Sequence, residues 1–318
     1  MSSPNPTRTP TPTPTPTKTD LYPSNSFLAW YFVLVWGAGF LATKAGIQYA
    51  APFTFLSLRY IAGLICLLPI LLWARPAWPS TPRAWGHVVI AGLLMHAIHL
   101  SGSHYAQYLG MSAGVTAIIL AAQTLLTALF ASLWTNEKPA RRQWSGIAIG
   151  LAGVGLVVWH KLDISAVGIG SLVAALTGLF ALTAGTLYQR HFCAAADLRS
   201  SAFIQFATCL IVVAPLSVLV EGAKIQWAWP LIAAVLFLVI FASIFAVNAL
   251  TTLMRRGAAT SVTGILYLPP VVAVAVEWLL FGIAPTTLTV LGVGVVCIGV
   301  ALTVSTKTTQ TTPQNSGK

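Results

Sequence analysis

The chain reads as an all-α integral membrane protein with ten transmembrane helices in two inverted five-helix repeats, and three observations predict this. Of its 318 residues, 57% are hydrophobic and only 7% charged, far from the roughly 25% charged content of soluble domains. The apolar runs are about 20 residues long with turn residues between them, as helices rising 1.5 Å per residue need; the alternating strands of an outer-membrane barrel are about half that length. A constant offset of 146 residues also brings proline, glycine and charged positions of the two halves into register, including Lys44 with Arg190 and Pro69 with Pro215.

In chain order, residues 1–26 form a Thr/Pro-rich stretch (TPTPTPT) with nothing apolar to bury, which predicts a disordered tail. It lacks the apolar core of a secretory signal. Ten spans follow, at 27–46, 53–73, 84–106, 110–134, 143–160, 167–189, 200–220, 228–251, 258–282 and 285–304. The first repeat covers 27–160, the second 167–304, and residues 305–318 form a polar tail. The ninth span has two features that are costly in a bilayer. Pro269 and Pro270 remove backbone donors inside it, and Glu277 places a carboxylate there.

The net charge of +11 comes from short loops between spans, so it reports membrane orientation and not a nucleic-acid partner. With alternating loops, thirteen of the seventeen Lys and Arg residues fall on the side of the N-terminal tail; Lys44, Lys161 and Lys224 fall on the other, and Arg59 lies within a span. Both termini are therefore expected in the cytoplasm. Cys66, Cys193, Cys209 and Cys297 have no paired spacing, which argues against a disulfide framework or a zinc site.

Gly146 meets Gly292, Gly153 meets Gly299 and Leu156 meets Leu302 under the same offset. Because each unit has five spans, the second must cross the membrane upside down relative to the first. Such inverted repeats place a substrate site near the midplane and support alternating access. The glycines of spans five and ten allow close helix approach, within one chain or between two, which is compatible with a homodimer.

The residues resemble the EamA-type branch of the drug/metabolite transporter superfamily. WGAGFLATKAG (Trp36 to Gly46) and PFTFLSLRY (Pro52 to Tyr60) are similar to that family's first two helices. NEKPARRQWSGIAIGLAGVGLV (Asn136 to Val157) resembles its glutamate-then-glycine signature, and RRGAATSVTGILYLPPV (Arg255 to Val271) and LGVGVVCIGVAL (Leu291 to Leu302) match its second-half parts. The resemblance covers residues 27 to 304 and implies an inner-membrane transporter of a small metabolite, with no cofactor and no chemistry of its own. One departure stands out: Glu137 fills the first signature glutamate, but the offset puts Ile283 at the second, while Glu277 faces Ala131 and the prolines face Gln123 and Thr124.

Candidate cavity residues follow from polar side chains inside spans. His96, His99, Ser103 and Gln107 lie at helical spacings of three and four on the third span, a stripe that belongs against protein or water. Gln123 and Thr127 continue it on the fourth span with Thr116, Asn248 sits in the eighth, and Thr263 and Tyr267 in the ninth. Trp36 offers a stacking surface, and the spans concerned are those the family resemblance assigns to the central cavity. No acidic or cysteine ligand accompanies the histidines, so no metal is expected. For each polar residue alone, a hydrogen bond that merely joins helices is the competing reading. Arg59 and Glu277 both fall roughly 8 to 9 Å below the outer surface, a depth at which they can pair, with Arg59 snorkelling or Glu277 binding a proton as alternatives. Export of amino acids or related compounds is the first functional reading. Uptake of a small metabolite is the second, and a membrane-embedded enzyme using Glu277 with the third-span histidines the third.

Overall fold

The computed structural model describes residues 24–134, 141–161, 168–255 and 268–304. Among them the chain forms helical rods in the predicted order: α1 (Asn25–Gly46), α2 (Pro52–Ala74), α3 (Pro82–Tyr108), α4 (Ala113–Trp134) and α5 (Arg141–Lys161), then α6 (Ile169–Phe192) and α7 (Leu198–Glu221). They continue with α8 (Trp229–Leu236, Phe237–Ala246 and Val247–Arg255), α9 (Pro269–Phe281) and α10 (Thr287–Val304). Seven of them, α1 to α4 and α6 to α8, are long and apolar enough to cross a membrane, while α9 and α10 are apolar but shorter. That is fewer than the ten spans expected. The terminal tails, apart from the residues just before α1, lie outside the described residues, as do Glu137, Thr263 and Tyr267.

Local chemistry explains the helix ends. Ser24 accepts from the Phe27 amide at 3.2 Å to open α1, Thr81 accepts from the Ala84 amide at 3.1 Å to open α3, and Asp197 caps α7. Proline occupies the first turn of α2, α3, α8 and α9, where its missing N–H costs no helical bond. Pro269 and Pro270 thus open α9; the part of the expected 258–282 span before Leu268 lies outside the described residues. Gly222 and Gly282 end α7 and α9 with φ of 68° and 66°, in the left-handed region.

The two halves pack by an exchange rule. Numbering each half from one to five, α2 pairs chiefly with its own counterpart α7 and α5 with α10, and α4 also touches its counterpart α9; α1 packs on α8 as α3 packs on α6, and α4 packs on α6 as α9 packs on α1. Swapping the halves therefore returns these principal contacts between them, although others, such as α4 on α5, have no comparable counterpart among the described residues. Pro69 and Pro215, expected to be equivalent, both sit inside the helices that pair, α2 and α7. The strongest sign of repeat is one that hydropathy does not carry. α3 widens into a π-helical segment at Leu93–Ile98 and α8 at Phe237–Ala246, and the 146-residue offset moves the first to 239–244, inside the second.

The glycines of α5 and α10 face one another within the chain. A Cβ on Gly299 would strike the backbone of Gly150 and stand 2.7 Å from the Gly146 carbonyl oxygen, and one on Gly153 would stand 2.9 Å from the Val296 amide nitrogen. Gly294 faces open space instead. Beside this seam, Ile118, Ile119 and Leu125 of α4 and Val157 of α5 are buried with Val296 and Val300 of α10 in one apolar cluster. Cys209 is buried and donates its thiol to the Gly92 carbonyl oxygen at 3.3 Å, and none of the four cysteines forms a disulfide.

Candidate functional site

Where α2 and α7 cross, Tyr60 is wholly buried and its ring meets Phe206 with centroids 5.6 Å apart. The offset of 146 makes these two residues each other's counterpart, so the contact lies where the halves exchange. Tyr60 then donates its hydroxyl to the His96 carbonyl oxygen at 3.0 Å, inside the π segment of α3. A π turn leaves carbonyls out of the regular i to i−4 ladder, which is why it can accept from a neighbouring helix.

On either side of this contact, each half reaches into the other helix pair with a polar side chain. Gln205 of α7 accepts from His96 Nε2 at 3.2 Å and donates to Gln189 Oε1 at 3.1 Å, which sets the His96 tautomer with its proton on Nε2. Arg59 of α2, 146 residues before Gln205, donates from Nη2 to Ser243 Oγ at 3.2 Å in the π segment of α8. Ser243 in turn donates its hydroxyl to the Leu238 carbonyl oxygen at 2.9 Å. Gln205 and Ser243 were not among the residues expected from sequence, although the offset that pairs Arg59 with Gln205 already pointed to the first.

The third-span stripe divides between two neighbours. His96 faces α7, whereas His99 is buried against α6, its Nδ1 donating to the Gly178 carbonyl oxygen at 3.1 Å. Ser103 is buried beside that same glycine, whose added Cβ would stand 3.2 Å from the Ser103 amide nitrogen. Gln107 is buried with neither amide atom hydrogen-bonded among the described residues, and His104 shares its Nε2 with Thr43 Oγ1 at 3.1 Å. Gln123 donates to Thr186 Oγ1 at 3.0 Å, and the Thr127 hydroxyl is buried without a partner among the described residues. Asn248 is exposed and donates back to Ile244 of its own helix, its only hydrogen bond among the described residues, while Trp36, 41% exposed, stacks on Phe32.

The pairing of Glu277 with Arg59, left open by their equal depth, does not form. Glu277 Oε1 instead accepts from Lys44 Nζ at 2.6 Å and from the Ala113 amide at 2.9 Å, and Oε2 accepts from the Gly114 amide at 2.8 Å. The physical reason is packing: α9 lies between α1 and α4, while α2 lies against α7 and α8. Equal depth is not proximity. The carboxylate therefore neutralises a half-buried lysine and satisfies the first amides of α4, where the helix dipole favours an anion. The Lys44 ammonium also stands 4.9 Å from the centre of the Phe281 ring.

A second carboxylate does similar work nearby and was missed from sequence. Glu221, the last residue of α7, accepts from the amides of Phe53 at 2.9 Å and Thr54 at 2.8 Å, from the Thr54 hydroxyl at 2.8 Å, and from the Tyr105 hydroxyl at 2.7 Å. The available signal was α2 itself, whose first turn holds no acidic residue to meet its own amides. Both clamps hold the ends of α1 and α3 and the starts of α2 and α4, so they gather at one end of the bundle. The Ala50–Ile225 bridge and the Gln226 amide, donating to the Tyr49 carbonyl oxygen at 2.8 Å, tie the same end.

A helical membrane protein with two repeated halves, polar contacts at their crossing and carboxylate clamps at one end, one of them ion-paired, has the architecture of a multi-pass transporter. The chain belongs to the EamA-like transporter family, whose description matches it twice, over residues 25–159 and 169–305. It is similar to the uncharacterized inner membrane transporter YedA of Escherichia coli (strain K12), 26% identical over 272 residues that cover 85% of this chain and 87% of that one. It is also similar to a probable amino-acid metabolite efflux pump of Salmonella typhimurium (strain LT2), 24% identical with coverage of 88% and 94%. A solved crystal structure shares the fold at a TM-score of 0.62 and 19% identity, covering 88% of this chain and 96% of its own.

Proposed function

We propose that this protein exports amino acids or related small metabolites across the inner membrane by alternating access, with ten spans in two inverted repeats and both termini cytoplasmic. The observation that carries this reading is the exchange rule in the packing: the principal contacts between the halves, α2 with α7, α5 with α10, α1 with α8 as α3 with α6, and α4 with α6 as α9 with α1, are recovered when the halves are swapped. Five helices per half make such a swap an inversion, and inverted halves provide two packings of similar energy around one central site. The clamps at Glu221 and Glu277 support a state closed at the end opposite the tails. The amino-acid class rests on the name of the Salmonella relative. His96, Tyr60, Arg59 and Ser243, at the crossing of the halves, are the residues proposed to meet the substrate.

Counterflow in proteoliposomes tests the reading. Vesicles preloaded with one unlabelled amino acid should accumulate the same labelled amino acid above the level of protein-free vesicles. If no member of a panel of amino acids, nucleosides and organic cations exchanges, the export assignment is wrong.

A further inference from the structure

We propose that Arg59 is the anchor for a carboxylate on the transported molecule, with Ser243 holding one edge of the guanidinium and the other edge left for the ligand. This rests on the transporter reading and names its substrate class. A guanidinium has five N–H donors in a planar fork that fits a carboxylate through two parallel bonds. Only one of the five is used, toward Ser243, among the described residues.

No protein carboxylate is left to balance this charge among those residues. Asp197 is committed to the Arg199 amide at 2.8 Å, Glu221 to the start of α2 and Tyr105, and Glu277 to Lys44 and the start of α4. A cation without a counter-charge inside a membrane protein is costly. The fold does not require it either. At the counterpart position the other half uses neutral Gln205, which makes the same kind of bridge to the π segment of its partner helix and has both ends of its amide bonded. The repeat thus provides its own control: an amide suffices for the packing, and the charge at Arg59 serves something else. Arg59 is half-buried beside the wholly buried Tyr60, at the crossing of the halves where a transported molecule would pass.

The test uses the full-length protein in neutral phosphatidylcholine vesicles, with labelled L-amino acids competed by their own amides and by the matching decarboxylated amines. Thermal unfolding of the detergent-solubilised protein is followed in parallel with glycine, glycinamide, acetate and sodium chloride. Wild type should exchange an amino acid that its amide fails to compete, and R59Q should lose that exchange. R59K should lose at least about tenfold, because one ammonium cannot replace a two-bond fork. S243A, which keeps the charge, should raise KM several-fold with a normal size-exclusion profile. Competition by the amide equal to that by the acid, or exchange by a folded R59Q at the wild-type rate, overturns the anchor while transport stands. Exchange of amines alone does the same. If nothing exchanges, the export reading fails and the thermal data decide the anchor. Stabilisation by acetate and glycine that R59Q abolishes supports it; no stabilisation, or equal stabilisation by chloride, overturns it.

Discussion

Glu277 and Glu221 sit at the same end of the bundle and look alike in outline. Each comes from the last turns of a second-half helix and accepts from the first free amides of a first-half helix. They differ in what completes them. Glu277 is 3% exposed and bound to a lysine, whereas Glu221 is met by neutral hydroxyls of Thr54 and Tyr105. The difference teaches what each clamp leaves behind when it is cut. Removing Glu277 strands a charge in a membrane protein; removing Glu221 strands only neutral donors. Helix amides alone can hold a carboxylate, so Lys44 is there to fix α1 to α9 and not merely to make Glu277 tolerable.

The comparison breaks most visibly at Glu277. Glu277→Ala should destabilise by about 3–5 kcal/mol, the range for opening a buried ion pair from one side, read as a lower unfolding midpoint in detergent. The Lys44→Met, Glu277→Gln double variant should recover most of that loss, because both charges leave together and the Gln carbonyl can still accept from the Ala113 or Gly114 amide. A double variant as unstable as Glu277→Ala would mean that the pair is not the source of the effect. Glu221→Gln should cost less, about 1–3 kcal/mol, through weaker acceptance from the α2 amides. Smallest is Tyr105→Phe, at about 1 kcal/mol, which should add to Glu277→Gln without coupling if the two clamps are separate and should be non-additive with Glu221→Gln. Unfolding midpoints of the singles and doubles check both statements.

Much of the architecture was legible in the amino-acid order because a bilayer restricts what a backbone can do. Apolar runs must be helices, and caps such as Ser24, Thr81 and Asp197 mark where they start. The offset of 146 predicted equivalences that the packing bears out at Pro69 with Pro215 and along the α5–α10 glycine seam. Less was legible at the site. The third-span stripe reads as one polar face, yet His96 and His99 turn to different helices, since 3.6 residues per turn spreads a stripe of that length across two neighbours. Depth along a helix follows from residue counting, but which helix stands opposite does not, and residue counting therefore left the Arg59–Glu277 pairing open where the packing decided it.

Sequence alone therefore determined that the chain is a membrane protein of repeated halves, that Lys44, Arg59 and Glu277 are charges needing an account, and that the family resemblance covers nearly all of the apolar chain. The tertiary structure decided the account of each. Lys44 and Glu277 neutralise one another across α1 and α9, while Glu221 satisfies the amides of α2. Arg59 remains the cation whose only bond among the described residues is to a serine. Hydropathy and helical period are local properties written along one dimension, whereas charge compensation depends on which helices pack together, and that is set by the sum of all the faces at once.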